Sequence, residues 1–155
     1  MQRKEQEITD RKELEALITE ATVCRLAVTD GLEPYVVPLN FGYDEGNFYI
    51  HGAAEGKKVA LLQKNPRVCL EIDIPEGLEP DKNGNPCSYG FGYRSIIARG
   101  TAELLEDPEE KKRALEIILR HYDQEVSLSF SEASMKRTRV YKIKVLEMTG
   151  KKAHA

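Results

Sequence analysis

The feature that most constrains the fold is a succession of six β-strand patterns, with turn signals between several of them. Some alternate apolar and polar residues, and others are nearly continuous apolar runs of strand length. The segments are Val23–Thr29, Tyr35–Tyr43, Phe48–Ala53, Arg67–Ile74, Tyr93–Leu105 and Val140–Met148. Tight turns at Asp30-Gly31 and Asp44–Asn47 indicate antiparallel neighbours. The pattern predicts a mainly β protein, a closed six-stranded antiparallel barrel with helices packed outside.

Three helices accompany the strands. Asp10 begins the first, with Glu13 placed to complete a reciprocal cap. The second runs from about Glu55 to Lys64, and the third follows Asp107, with proline at its first position. The chain has 155 residues, without a repeat or linker, so we expect one domain over 1–155 with its core at about 22–151.

Two segments depart from regular strand chemistry. Pro38 removes a backbone donor from its strand, which indicates an edge or an interruption where the backbone has another use. Pro75–Gly92 contains four glycines and two prolines beyond Pro75, so we predict a long loop there. Its aromatic residues Tyr89 and Phe91 suit either a lid over a planar ligand or simple packing onto the barrel, and both alternatives stay open.

Composition narrows the classes of function. A net charge of −3 argues against a dedicated nucleic-acid binder, and no apolar run reaches membrane-span length. The N-terminus lacks the apolar core of a secretory signal, so we expect a cytoplasmic protein. The cysteines Cys24, Cys69 and Cys87 lack paired ligand spacing, so no metal site is expected, and the first two are predicted to be packed thiols.

The end of the third strand carries the residues best suited to an anion. Small residues follow His51, and Lys57 and Lys58 open the next helix, where free backbone amides and ammonium groups favour phosphate. A solvated lysine pair is the alternative. His51 is either a hydrogen-bonding or proton-donating group or a structural histidine. Ser95 is a weaker candidate phosphate donor on the fifth strand.

Other catalytic chemistry has little support in the sequence. No Ser-His-Asp order stands out, and nothing identifies an activated cysteine. If the protein is an enzyme, we therefore expect a cofactor to carry the reaction. No glycine-rich dinucleotide fingerprint opens a βαβ unit, so NAD(P)H, if used, would bind only transiently.

Several segments, in this order, resemble the pyridoxamine 5′-phosphate oxidase-like flavoproteins, and more closely the branch that includes the 5-nitroimidazole-resistance (Nim) proteins. The matching segments span roughly residues 22–151 and are specific in their joint order and spacing. They are Cys24–Val28, Tyr35–Phe41, Tyr49–Ala53, Gly56–Lys58, Asn65–Cys69, Tyr93–Glu103 and Ile143–Lys151.

The resemblance implies a split β-barrel that binds FMN, usually as a homodimer with two flavins at the subunit interface. By the same resemblance, Val37, Pro38, Leu39 and Asn40 run beside the isoalloxazine ring. His51, Gly52 and Ala53 follow the ribityl chain and ring. Lys57 and Lys58 hold the phosphate, with Ser95 assisting, although true pyridoxamine oxidases favour a longer amide side chain there.

The chain also differs from those oxidases. It lacks their arginine-rich C-terminal segment that grips pyridoxal phosphate, so we do not expect oxidation of vitamin B6. The prediction is an FMN-dependent oxidoreductase that passes hydride or electrons to a small planar acceptor, such as a nitroaromatic or a quinone. The alternatives are a non-catalytic flavin- or haem-binding or sensing barrel, with His51 as an axial ligand, and a deazaflavin-dependent reductase.

Overall fold

Eight antiparallel strands form one sheet in the computed structural model, which describes residues 4–125 and 127–153. Their order is β3-β2-β6-β7-β8-β5-β4, with β1 paired to β8. The strands are β1 Glu7–Ile8, β2 Cys24–Thr29, β3 Pro34–Leu39, β4 Phe41–Asp44, β5 Asn47–Ala53, β6 Arg67–Glu79, β7 Gly90–Leu104 and β8 Thr138–Ala153. β3 and β4 end the order at opposite sides, so the sheet curls into an open, split barrel.

Four α-helices surround the described part of the sheet. They are α1 Arg11–Glu20, α2 Lys57–Lys64, α3 Pro108–Tyr122 and α4 Glu132–Arg137, with short 3-10 turns at Lys4–Gln6 and Pro86–Ser88. The predicted caps Asp10 and Asp107 are confirmed, since each side chain accepts a hydrogen bond from a backbone amide of the first turn. The reciprocal cap is not formed, because Glu13 instead accepts a hydrogen bond from Lys152 at 2.6 Å.

The core has two parts, one inside the barrel and one beneath α3. Inward-facing side chains of β2, β5, β6 and β7 fill the barrel, among them the fully buried Leu26, Phe48 and Ile72. A smaller cluster under α3 joins Tyr49 and Val140 to the helix. Cys24 is buried as predicted, and this burial raises the pKa of its thiol to about 12.

The mainly β antiparallel prediction is confirmed, and the barrel is split, as the resemblance implied, rather than closed, whereas the count of six strands is too low. The predicted strand Tyr35–Tyr43 is two strands, β3 and β4, with Asn40 between them. Pro38 lies in β3, an outermost strand of the sheet, as its missing donor indicated. Strand β1 is only two residues long, too short to show any periodicity.

The predicted loop Pro75–Gly92 is wrong at both of its ends and correct over its middle, the segment 80–89. β6 continues to Glu79 and β7 begins at Gly90, so the two strands form a hairpin whose turn is the segment 80–89. We call Pro75–Tyr93 the hairpin arm. Its register shifts between Pro75 and Gly77, and Gly77 has φ +115°, a backbone conformation that favours glycine. Glycine and proline here shape a bulged strand pair.

The helix α4 was not predicted. Ser131 caps it by accepting a hydrogen bond from the Ser134 amide, and it spans only six residues. Among the described residues, no helix combines the length and the apolar content needed to cross a membrane.

Candidate cofactor site at the split of the barrel

The barrel opens where two strand edges lack partners. β4 pairs with β5 only as far as Ile50, so His51–Ala53 have β8 on one side and, among the described strands, no partner on the other. β3 pairs with β2 alone, which leaves its second edge free. We call the gap between these two free edges the split. Helix α2 begins beside it, because its first two side chains contact both edges.

Lys58 lies on the β5 side of the split. Its ammonium donates to the His51 carbonyl oxygen at 3.3 Å, and the side chain is half-buried. Burial lowers the pKa of Lys58, while the nearby Cys24 thiol acts in the opposite direction. In the part of the chain that the structure describes, no carboxylate lies within ion-pair distance of this ammonium. The site therefore holds a desolvated positive charge that an anion would stabilise.

Glycine makes room for this lysine. A Cβ on Gly52 would lie 2.7 Å from Lys58 Nζ, closer than real contacts allow. Gly56, with φ +127°, directly precedes α2 and gives its first turn no side-chain cap. The first amides of α2 are therefore open to an external acceptor, and the positive end of the helix dipole reinforces the lysine charge.

Lys57 lies on the β3 side of the split. Its Nζ is 3.8 Å from a Glu33 carboxylate oxygen and 5.1 Å from the centroid of the Tyr35 ring. The side chain is exposed, so this ion pair is weak and screened by solvent. The two lysines thus place one ammonium beside each edge, an arrangement that fits a phosphate group held across the split.

The His51 imidazole does not share the face that Lys58 occupies. Neighbouring residues of a strand point to opposite faces, so His51 lies opposite Gly52 and on the face of Tyr49, toward α3 and α4. Desolvation lowers the pKa of His51, and the Lys58 charge lowers it further. His51 therefore meets the lysine through its main-chain carbonyl, while its ring faces a separate cavity.

The candidate residues of β3 divide between two faces. Val37 and Leu39 pack against the barrel core, whereas Pro38 is exposed and Asn40 is exposed at the junction with β4. Pro34 and Pro38 are four residues apart in β3, so their backbone nitrogens point to the same edge of the strand. Because neither nitrogen carries a hydrogen to donate, this is expected to be the free edge. By that parity, Val36 carries the N–H donor directed into the split.

Within a single chain, Ser95 lies away from the split. It pairs with Asp73 on one side and Lys151 on the other, in the interior of the sheet. Two strands, β2 and β6, separate β7 from β3 in the sheet order. Its side chain shares the outward face of β7 with Phe91 and Ile97. The structure therefore brings Lys57, Lys58 and Gly52 together and leaves Ser95 on the outer surface.

The sequence interpretation did not predict that this outer surface is apolar and exposed. Large apolar side chains stand exposed on the sheet and on the hairpin arm. We call them the outer apolar surface: Val36 (57% exposed), Leu78 (62%), Phe91 (54%), Ile97 (38%) and Leu146 (74%). The signal was present, because apolar residues occupy outward as well as inward positions of β7, a pattern typical of a strand covered on both faces.

Comparison with known proteins identifies the family of this chain. A family model described as pyridoxamine 5′-phosphate oxidase matches residues 10–152. A candidate 5-nitroimidazole antibiotic resistance protein from Bacteroides thetaiotaomicron has a similar solved structure, with 38% identity and a TM-score of 0.83 over 94% of this chain and 85% of that chain. No curated protein matches the sequence.

More distant structures share the fold. The flavocytochrome Anf3 from Azotobacter vinelandii is 19% identical, with a TM-score of 0.83 over 96% of this chain and 70% of that chain. The FAD and haem binding protein from Mycobacterium smegmatis is 17% identical, with a TM-score of 0.86 over 97% of this chain and 74% of that chain. The family match over residues 10–152 and the 38% identity confirm the resemblance: the chain belongs to the pyridoxamine 5′-phosphate oxidase-like family.

Proposed function

We propose that the chain binds FMN at the split and acts as a flavin-dependent oxidoreductase. The observation that carries the proposal is the half-buried Lys58 ammonium, which has only a backbone carbonyl as its acceptor in the described residues. Lys57, the uncapped start of α2 and the missing side chain of Gly52 complete a cradle of the right charge for a phosphate monoester. The names of similar solved structures include FAD-binding proteins, which supports a flavin as the class of cofactor.

The rest of the flavin would lie along the two free edges. Gly52 and Ala53 offer an open backbone for the ribityl chain. Val37, Pro38, Leu39 and Asn40 offer the edge of β3 to the polar side of the ring, with the Val36 amide as the available donor. When bound, FMN supplies hydride or single-electron transfer to a small planar acceptor, such as a nitroaromatic or a quinone. The protein's own residues bind, orient and shield it.

The active form in this proposal is a homodimer with the flavins at the interface. The outer apolar surface supports it, because monomeric proteins rarely leave so many large apolar side chains exposed on one sheet. A second copy placed on this surface would cover Ile97 and Phe91. Ser95, which is remote from Lys58 within one chain, would then lie at the interface, where it can assist a flavin held by the partner copy.

Haem is the competing cofactor, because two similar folds are named for haem as well as flavin. The placement of His51 disfavours it as an axial ligand. Its imidazole lies on the opposite face of β5 from Lys58 and lines a solvent-open groove of about 190 Å³, whose enclosed part is enough for one aromatic ring and smaller than a porphyrin. The phosphate cradle, in contrast, has no role in holding a haem iron.

The test is the absorption spectrum of the freshly purified protein. We expect a flavin spectrum, release of FMN on denaturation, and reduction of a nitroaromatic or quinone with NAD(P)H as the electron donor. A Soret band would replace the proposal with haem binding. Extraction of a deazaflavin, identified by its mass, would replace it with a deazaflavin-dependent reductase.

A further inference from the structure

A second cavity lies on the opposite face of β5 from the phosphate cradle. It is a groove of about 190 Å³ that opens to solvent, and it is bordered by α3, α4 and the adjoining ends of β5 and β8. Its wall is mostly apolar and includes Leu115, Ile118, Phe130 and Met135. An enclosed apolar cavity of about 150 Å³ in another protein accepts benzene, so this groove is large enough for a single six-membered ring.

One polar side chain in this wall has no partner. The Ser134 hydroxyl accepts a hydrogen bond from the Ser131 hydroxyl at 2.8 Å, and the Thr138 hydroxyl donates to the Ser134 carbonyl at 2.9 Å. His51 is exposed as a residue, and within the described residues its imidazole makes no side-chain hydrogen bond, so a ligand hydroxyl would replace water there. Because desolvation lowers the pKa of His51, its ring is neutral near pH 7 and presents one donor and one acceptor nitrogen.

Helix α4 covers the cavity and is held by few contacts, so it can move to admit a ligand. Helix α4 has only six residues and none of them is buried. It is held by the Lys111 ammonium, which donates to the Met135 carbonyl, and by Met135 packing at the edge of the cluster under α3. Helices with few buried contacts open at low free-energy cost. A ring can therefore enter without disturbing the barrel core.

We propose that this cavity is a binding site for a single-ring aromatic compound that carries a hydroxyl, with the hydroxyl hydrogen-bonded to the His51 ring. The apolar wall accepts the ring and excludes charged or multi-ring compounds by polarity and size. The free imidazole nitrogen selects a phenol over a plain hydrocarbon of the same shape. The site is separate from the flavin cleft, since the β5 backbone stands between the His51 ring and Lys58.

The experiment titrates the full chain, with and without FMN, with phenol and with toluene as its matched apolar probe. Methyl NMR of ¹³C-labelled methionine follows Met135 in the cavity wall, with Met148 in the barrel cluster as internal control. We expect phenol to shift the Met135 signal in a saturable way, to leave Met148 unchanged, and to bind equally in both forms. Competition between phenol and FMN, or no shift at Met135, would overturn the proposal.

Two variants test the roles of the wall and the histidine. His51→Phe should weaken phenol binding about threefold to tenfold, the effect of one neutral hydrogen bond, and leave toluene unchanged. Leu119→Trp should fill the cavity and abolish binding of both probes. Leu119 is 40% exposed and tolerates a larger side chain, and Val23→Trp, at 39% exposed, is the matched control outside the cavity. Phenol affinity that survives Leu119→Trp would contradict the assignment.

Discussion

Replacing the two lysines separately tests the phosphate cradle, because the structure gives them unequal weight. Lys58 is half-buried without a carboxylate in the described residues, so its contact with a phosphate should count as a full charge-assisted hydrogen bond of about 1.5–3 kcal/mol. Lys58→Met should therefore weaken FMN binding about 10-fold to 150-fold. Lys57 is exposed and already near Glu33, so Lys57→Met should cost about 0.2–1 kcal/mol, at most about fivefold.

The double variant should lose about 1.7–4 kcal/mol, or roughly 20-fold to 900-fold in affinity, if the two contacts add. The assay is a fluorescence titration of flavin-free protein with FMN and, in parallel, with riboflavin, which has the same ring but no phosphate. Lys64→Met is the matched control, since Lys64 ends the same helix and lies 3.7 Å from Asp30.

The ratio of FMN to riboflavin affinity decides the outcome. If the start of α2 holds the phosphate, this ratio falls in Lys58→Met and stays constant in Lys64→Met. Equal losses for FMN and riboflavin would mean that the substitution disturbs the ring site or the fold. An unchanged ratio in Lys58→Met would refute the assignment of the phosphate to the start of α2.

Four further predictions concern other parts of the molecule. Gly52→Ala should lower FMN affinity with little change in melting temperature, because the new methyl group meets only the flexible end of a lysine; FMN titration and calorimetry measure both. If the protein is the proposed dimer, Ile97→Asp should convert it to monomers in analytical ultracentrifugation, and a dimer that persists in this variant would exclude the outer apolar surface as the interface. Truncating Tyr89 and Phe91 to Ala should change turnover or flavin exposure if the hairpin arm is a lid, and no change in either would leave only packing. Because the pKa of His51 is lowered in the folded protein, the unfolded chain takes up a proton at this residue at a higher pH than the folded one does. The contribution of His51 to stability is therefore complete above about pH 6.5 and declines as pH falls. Urea unfolding across pH 5–8 should show less of this decline in His51→Phe.

Periodicity predicted the strands well wherever inward and outward positions differ in polarity. It failed at Asn40, because Pro38–Phe41 keeps an apolar alternation while the strand partner changes from β2 to β5. It also failed in the hairpin arm, where glycine and proline usually indicate a loop. There, pairing between adjacent segments of β6 and β7 holds an extended backbone in spite of low strand propensity.

The sequence predicted which residues form the candidate site but only part of their arrangement in space. Lys57 and Lys58 do open α2, as their position after Gly56 indicated. The sequence alternation puts His51 and Gly52 on opposite faces, but the element that covers each face is set by contacts remote in sequence. Tyr49 and His51 meet α3, more than 50 residues later, which no local pattern could reveal.

The position of β8 in the sheet has a consequence for how the chain folds during synthesis. β8 is the last of the eight strands in chain order, yet it pairs with β7, β5 and β1. Until the ribosome has delivered it, β4 and β5 form one isolated hairpin, and β2, β3, β6 and β7 form a separate sheet with an exposed edge. We therefore expect the barrel to assemble after translation of this segment, with β8 joining two halves that until then need protection from aggregation.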